Sequence, residues 1–72
     1  MAKLTDLPAY RVVRALRRVG WEVRGGKKHY KLINVSKPGV LTVPRGTIKK
    51  GTLRAILRQA GLTVEEFLRL YK

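Results

Sequence analysis

One residue of this chain, His29, has a side chain whose ordinary titration range lies near neutrality. It stands in the run Gly25-Gly26-Lys27-Lys28-His29-Tyr30-Lys31, among positive charges. An imidazole so placed can take a proton from a ribose 2′-hydroxyl or return one to a leaving oxygen. The ammonium groups beside it can meet the negative charge that grows on phosphoryl oxygens. One imidazole cannot be base and acid within a single step, so a second proton donor is required. Tyr30, Lys28 and water are the candidates. The plainer reading makes His29 a solvent-side strand residue, or one that only hydrogen-bonds a nucleic acid.

Lys49-Lys50-Gly51-Thr52 opens a helical pattern and reads as a phosphate seat. Free N–H groups and the positive end of a helix favour anions there. Arg54 and Arg58, four apart, extend the stripe; an ordinary lysine-rich loop is the alternative. Arg11, Arg14, Arg17 and Arg18 read as the solvated face of a first helix rather than a specific site.

The charge balance narrows the partner. The 72 residues carry 17 Lys+Arg against 4 Asp+Glu, a formal net charge of +13. The 42 residues from Val23 to Val64 contain ten of those cations and no acid. Such self-repulsion is a burden unless a polyanion is the partner. Nucleic acid is the first reading, and an acidic protein or a membrane surface the rival. The absence of cysteine excludes a disulfide framework, a thiolate metal site and a cysteine nucleophile together. One histidine and four acids also argue against a protein-built divalent-metal site, so no metal and no small-molecule cofactor are expected. Met1 to Asp6 lacks the apolar run of a signal peptide, and nothing approaches a membrane span. The expectation is a single domain over residues 1–72, in the cytoplasm, without membrane contact.

The elements that must position these residues follow from the spacing. Val12, Val13, Leu16 and Val19 recur at helical intervals, predicting a helix over about Pro8 to Val19. Thr5 or Asp6 is a candidate cap, and Gly20 a stop. Trp21 to Arg24 alternates as a half-buried strand, Gly25-Gly26 reads as a hairpin turn, and Lys28 to Asn34 as the next strand. Tyr30 and Leu32 share one face of it; His29, Lys31 and Ile33 share the other. Ser36 to Gly39 reads as a turn, Val40 to Val43 as a third strand ended by Pro44, and Arg45 to Gly51 as a loop. Two helices complete the order. One runs from about Lys50 or Thr52 to Ala60, with Thr52 as candidate cap and Gly61 as stop. The other opens at Thr63, whose pairing with Glu66 is the capping-box pattern. Trp21 and Phe67 read as core. The fold class is α+β: a three-stranded antiparallel sheet covered by helices on one face, α-β-β-β-α with a short extra C-terminal helix.

This order, with a histidine just past a glycine turn, resembles the HicA family of bacterial toxins. The likeness runs over roughly Tyr10 to Leu70. It rests on Val12-Val13-Arg14-Ala15-Leu16 leading into Val19-Gly20-Trp21, on Gly26-Lys27-Lys28-His29-Tyr30-Lys31-Leu32, and on Leu41-Thr42-Val43-Pro44-Arg45. The most specific part is Gly51-Thr52-Leu53-Arg54-Ala55-Ile56-Leu57-Arg58-Gln59-Ala60-Gly61-Leu62-Thr63, followed by Glu65-Glu66-Phe67. The resemblance implies a double-stranded-RNA-binding-domain-like fold and an mRNA interferase. It maps the catalytic strand histidine onto His29 and implies a HicB-type antitoxin that covers the active face. Two positions depart from the family pattern. Lys28 stands where a serine is usual before the histidine, and Arg45 and Gly46 stand where a second histidine often follows the Val-Pro pair.

The expectation is therefore a metal-independent endoribonuclease toxin acting on mRNA. His29 is catalytic; Lys27, Lys28, Lys31, Arg45, Lys49, Lys50 and Arg54 hold the RNA. A non-catalytic RNA-binding module of the same fold is the alternative, and a protein-interaction domain a third.

Overall fold

The computed structural model describes residues 4–71; Met1 to Lys3, part of the stretch read for a signal segment, fall outside them. Helix α1 (Ala9–Arg17) follows a two-residue strand β1 (Leu7–Pro8). Val12, Val13 and Leu16 are buried on one side of α1, with Ala9 and Ala15. The chain turns at the glycine stop marked in the sequence: Gly20 takes φ +97°, its N–H donates to Arg17 O, and the Trp21 N–H reaches back to Leu16 O. That pair of bonds satisfies carbonyls a helix end otherwise leaves bare. Gly61 (φ +76°) closes α2 (Lys50–Ala60) in the same way, with bonds from Gly61 N–H to Arg58 O and Leu62 N–H to Leu57 O.

Strands β2 (Glu22–Gly25), β3 (His29–Asn34) and β4 (Lys37–Pro44) form an antiparallel sheet in that order. In the β3–β4 register, Tyr30 opposes Val43 and Leu32 opposes Leu41, on the face turned to the helices. His29 opposes Pro44 and Lys31 opposes Thr42 on the open face. Helix α3 (Val64–Tyr71) starts with the reciprocal capping box read from the sequence. The Thr63 N–H donates to Glu66 Oε1 and the Glu66 N–H to Thr63 Oγ1, both at 3.1 Å. Phe67, from α3, is fully buried with Leu16, Leu32, Leu41, Val43, Leu53 and Leu57, and Trp21 joins them. The architecture is α+β, a three-stranded antiparallel sheet with three helices, consistent with a small double-stranded-RNA-binding-domain-like fold.

Five local expectations are corrected. Neither Thr5 nor Asp6 caps α1; Pro8 holds that place in extended conformation, and the Ala9 N–H donates to Gly46 O at 2.7 Å. Asp6 instead accepts the Lys50 N–H at 2.9 Å, so it caps α2 across the fold, and Lys49 rather than Thr52 stands at the cap position. The turn before β4 is tighter than Ser36 to Gly39. Asn34 Oδ1 accepts the Ser36 N–H at 2.9 Å, an Asx-type turn, and Pro38 and Gly39 lie within β4 where its register against β3 slips. The Arg45 to Gly51 stretch is not all loop: β5 (Thr47–Ile48) pairs antiparallel with β1 and buries Ile48. Val19 lies past the helix end and is 38% exposed; its carbonyl, not its side chain, is used, accepting Asn34 Nδ2 at 3.1 Å.

Candidate nucleic-acid interface

His29 is the first residue of β3 and is exposed on the open face of the sheet, with Lys31 two positions on. Alternation along a strand puts residues two apart on one face, roughly 7 Å from each other. Lys27 and Lys28 precede His29 on the connection from β2 and are exposed. An open, cation-lined face suits a polymer that lies across it.

The loop carrying Lys27 and Lys28 is held in two ways. Gly26 takes φ +104°, and a Cβ there would run into the carbonyl oxygen of His29, so the chain passes itself at a distance only glycine allows. Arg45, directly after the residue paired with His29, folds back over the loop. Its Nε donates to Lys27 O at 3.1 Å and its Nη2 to Gly26 O at 3.0 Å. Its guanidinium carbon stands 4.2 Å from the centroid of the Tyr30 ring. Tyr30 itself is half-buried against the core. The planar fork of an arginine matches two successive carbonyls while stacking on an aromatic face, which a lysine cannot do. Arg45, a cation expected from the sequence to hold RNA, thus grips the histidine's own loop. A guanidinium has further N–H donors, so this grip leaves it able to meet a phosphate.

Lys49, Lys50 and Arg54 form a second group, at the entrance of α2. The Asp6 carboxylate already occupies part of that entrance through the Lys50 N–H, which weakens its pull on a further anion. Arg54 lies on the exposed side of α2 with Arg58, beside an open depression also lined by Gly51 and Gln59. So Lys27 and Lys28 precede His29 on its loop and Lys31 shares its open face, while the Arg45 guanidinium lies over Tyr30 on the other face. The α2 group is reached through Arg45, Gly46 and β5.

Three of the four acids, Asp6, Glu22 and Glu66, are engaged elsewhere. Glu22 lies 3.6 Å from Arg24. Glu66 caps α3, and its hydrogen bonds with Thr63 hold its carboxyl below the usual carboxylate range, with Arg69 and Lys37 assisting. Among the described residues, no three His, Cys, Asp or Glu side chains gather as a metal would need. No helix among them is long and apolar enough to cross a membrane.

The arrangement is that of a small α+β domain, consistent with a double-stranded-RNA-binding-domain-like fold, with one exposed histidine on a basic, open sheet face. The model of the HicA toxin of bacterial toxin–antitoxin systems matches residues 9–62, most of the chain, and the protein belongs to that family. No individual curated protein matches it. Membership makes it a toxin of a toxin–antitoxin pair, with an antitoxin as partner and nuclease chemistry as its general class.

Proposed function

We propose that this toxin is an endoribonuclease that cleaves mRNA without a metal, working as one 72-residue unit in the cytoplasm. The observation that carries the reading is the placement of His29: exposed, on the open face with Lys31, on a loop fixed by Gly26 and Arg45. In the reaction, His29 removes the proton of a ribose 2′-hydroxyl. The freed oxygen forms a bond to the adjacent phosphorus, and the bond to the 5′-oxygen of the next nucleotide breaks. The products are a 2′,3′-cyclic phosphate and a 5′-hydroxyl, the latter protonated by water or a lysine. Lys27, Lys28 and Lys31 offset the charge on the phosphoryl oxygens, while Arg45, Lys49, Lys50 and Arg54 steer the strand by its phosphates. A HicB-type antitoxin covers this face. Val40, 59% exposed on the edge strand, gives such a partner apolar surface beside the charge.

The test compares the wild-type protein with His29→Ala on a long RNA in excess chelator. Cleavage that vanishes in the variant while RNA binding persists supports the proposal. Equal cleavage by both proteins would refute the role of His29. Binding without cleavage by either would leave a non-catalytic RNA-binding module.

A further inference from the structure

We propose that the open face of the sheet is divided: RNA takes only the end that carries His29 and Lys31, and the aliphatic end beyond them anchors the antitoxin. The inference rests on the proposed antitoxin cover and names the part of it that RNA does not share. Ile33 continues the outward row of β3, two positions past Lys31 and opposite Glu22 of β2. On β4, Val40 lies two positions before Thr42, the partner of Lys31, and so shares that face. Val35, in the turn just beyond β3, is 98% exposed. The face thus passes from cations to aliphatic side chains within roughly 14 Å, the span of four strand residues.

Strand register makes the aliphatic end the broader one. Between the pairs Leu32–Leu41 and Asn34–Lys37, β3 has Ile33 alone where β4 has Pro38, Gly39 and Val40, all exposed. Beside them a hollow of about 240 Å³ opens between β4 and α2, lined by Trp21, Pro38, Gly39, Val40, Leu41 and Gln59. At roughly 30 Å³ per water it has the capacity of about eight waters, enough for one large apolar side chain. β4 is an end strand of its sheet, but Pro38 has no N–H and the slipped register breaks the ladder. Side chains, not an added strand, are what this edge can receive.

The chemistry of this end suits a protein and not RNA. Single-stranded RNA is held by stacking on aromatic rings or guanidinium planes and by cations on its phosphates. Among the described residues, the three strands carry one aromatic, Tyr30, which lies on the other face beneath Arg45. Trp21 is buried, so its ring is no platform. The one acid on these strands, Glu22, sits beside Ile33, and Arg24, 3.6 Å from it, offsets that charge. Lys37 turns its ammonium group toward Gly61, on the helix side. The cations proposed to steer RNA, Arg45, Lys49, Lys50 and Arg54, follow Pro44, the residue opposite His29, and so lead away from Ile33. Exposed aliphatic side chains gain only when a partner takes them out of water. A partner that also meets Lys28 and Lys31 is acidic there, so the occupant is an antitoxin segment with acids at one end and a large apolar side chain at the other. A second copy of this chain is opposed by the net charge of +13 on each.

The experiment uses the full chain carrying His29→Ala, so that RNA stays intact, and two probes: a long RNA and the purified antitoxin encoded next to this chain. In that background, Val40→Ser and Ile33→Thr should each weaken antitoxin binding by about fivefold to twentyfold and leave RNA affinity within about twofold. Lys31→Gln should weaken both. Val40 is largely exposed, so Val40→Ser tests the anchor without disturbing the fold, and circular dichroism melts check Ile33→Thr. With His29 restored, the antitoxin concentration that just silences the wild-type toxin should leave the Val40→Ser toxin cutting RNA. Equal losses of RNA and antitoxin affinity in Val40→Ser would overturn the division of the face. Full antitoxin affinity in both variants would overturn the anchor and leave the antitoxin cover standing. An antitoxin that does not bind the His29→Ala background would overturn the cover and the anchor together. Sedimentation of the toxin alone closes the remaining case: a dimer that Val40→Ser dissolves would assign the face to a second copy and refute the proposal.

Discussion

Gly25 and Gly26 adjoin in the loop before His29, have similar backbone angles, and should respond very differently to the same substitution. Their φ values are +128° and +104°, so alanine at either position carries backbone strain of about 1–3 kcal/mol. At Gly25 a Cβ meets nothing within 4 Å, and strain is the whole effect. At Gly26 the Cβ meets the His29 carbonyl oxygen, a backbone atom that cannot rotate aside. Relief requires the loop to leave Arg45, losing two hydrogen bonds worth about 0.5–1.5 kcal/mol each. The difference between the variants is therefore about 2 kcal/mol, or roughly 8–16 °C in Tm for a domain of this size. Circular dichroism melts measure it directly. Cleavage, assayed well below both transitions, should separate them further. Gly25→Ala should stay within about threefold of wild type, whereas Gly26→Ala, which displaces His29, should lose about 10²-fold. Equal melting temperatures, or equal activities at full folding, would refute the idea that Gly26 sets the position of His29.

Other perturbations test neighbouring parts of the fold. Asn34→Asp keeps the oxygen that accepts from Ser36 but replaces the donor to Val19 O with a charge, so stability measured in urea should fall by about 2–3 kcal/mol. Arg45→Lys can bond one carbonyl but not both; kcat should drop about tenfold with KM changed less than twofold, and a reversed split would mean that Arg45 serves mainly to hold RNA. Tyr30→Phe preserves the ring under Arg45 and should cleave within about threefold of wild type, while Tyr30→Ala should lose about tenfold, as Arg45→Lys does. Because the folded protein lowers the Glu66 pKa, that carboxylate contributes stability above its ordinary pKa and loses it as pH falls through the folded value. Glu66→Gln should therefore flatten the decline of Tm on acidification, and an unchanged acid limb would remove the charged capping box from the account.

The helices were legible because their signals are local. Val12, Val13 and Leu16 mark a buried stripe, Gly20 and Gly61 mark the stops, and Thr63 with Glu66 marks a start, all within a turn or two of chain. Strand alternation likewise put His29 and Lys31 on the face opposite Tyr30 and Leu32. What stayed hidden depends on partners far along the chain. Asp6 caps a helix 44 residues away, so no pattern around it marks that role. The β1–β5 pair is two residues long, too short for alternation to register. Pro38 and Gly39 looked like a turn because they are turn residues; a register slip on the edge strand tolerates both. The grip of Arg45 was hidden for the same reason as the α2 cap: Gly26 and Lys27 lie 19 and 18 residues upstream.

Strand geometry also bears on the proton that one histidine cannot supply. Tyr30 was a candidate donor because it adjoins His29 in sequence, yet adjacent residues of a strand leave the sheet on opposite faces. Burial agrees: His29 is exposed, whereas Tyr30 is half-buried against the core and covered by Arg45. A phenol beneath a guanidinium on the helix side cannot reach an oxygen leaving on the open side. Lys31 shares the open face, and Lys28 precedes His29 on the loop, but an ammonium group that gives up its proton also gives up the charge that steadies the phosphoryl oxygens. Water reaches the same face freely and carries no such penalty. Under the proposed ribonuclease mechanism, the side chains around His29 serve position and charge, and of water and lysine it is water that supplies the second proton at least cost. A site divided in this way has no need of the second histidine that Arg45 and Gly46 displace.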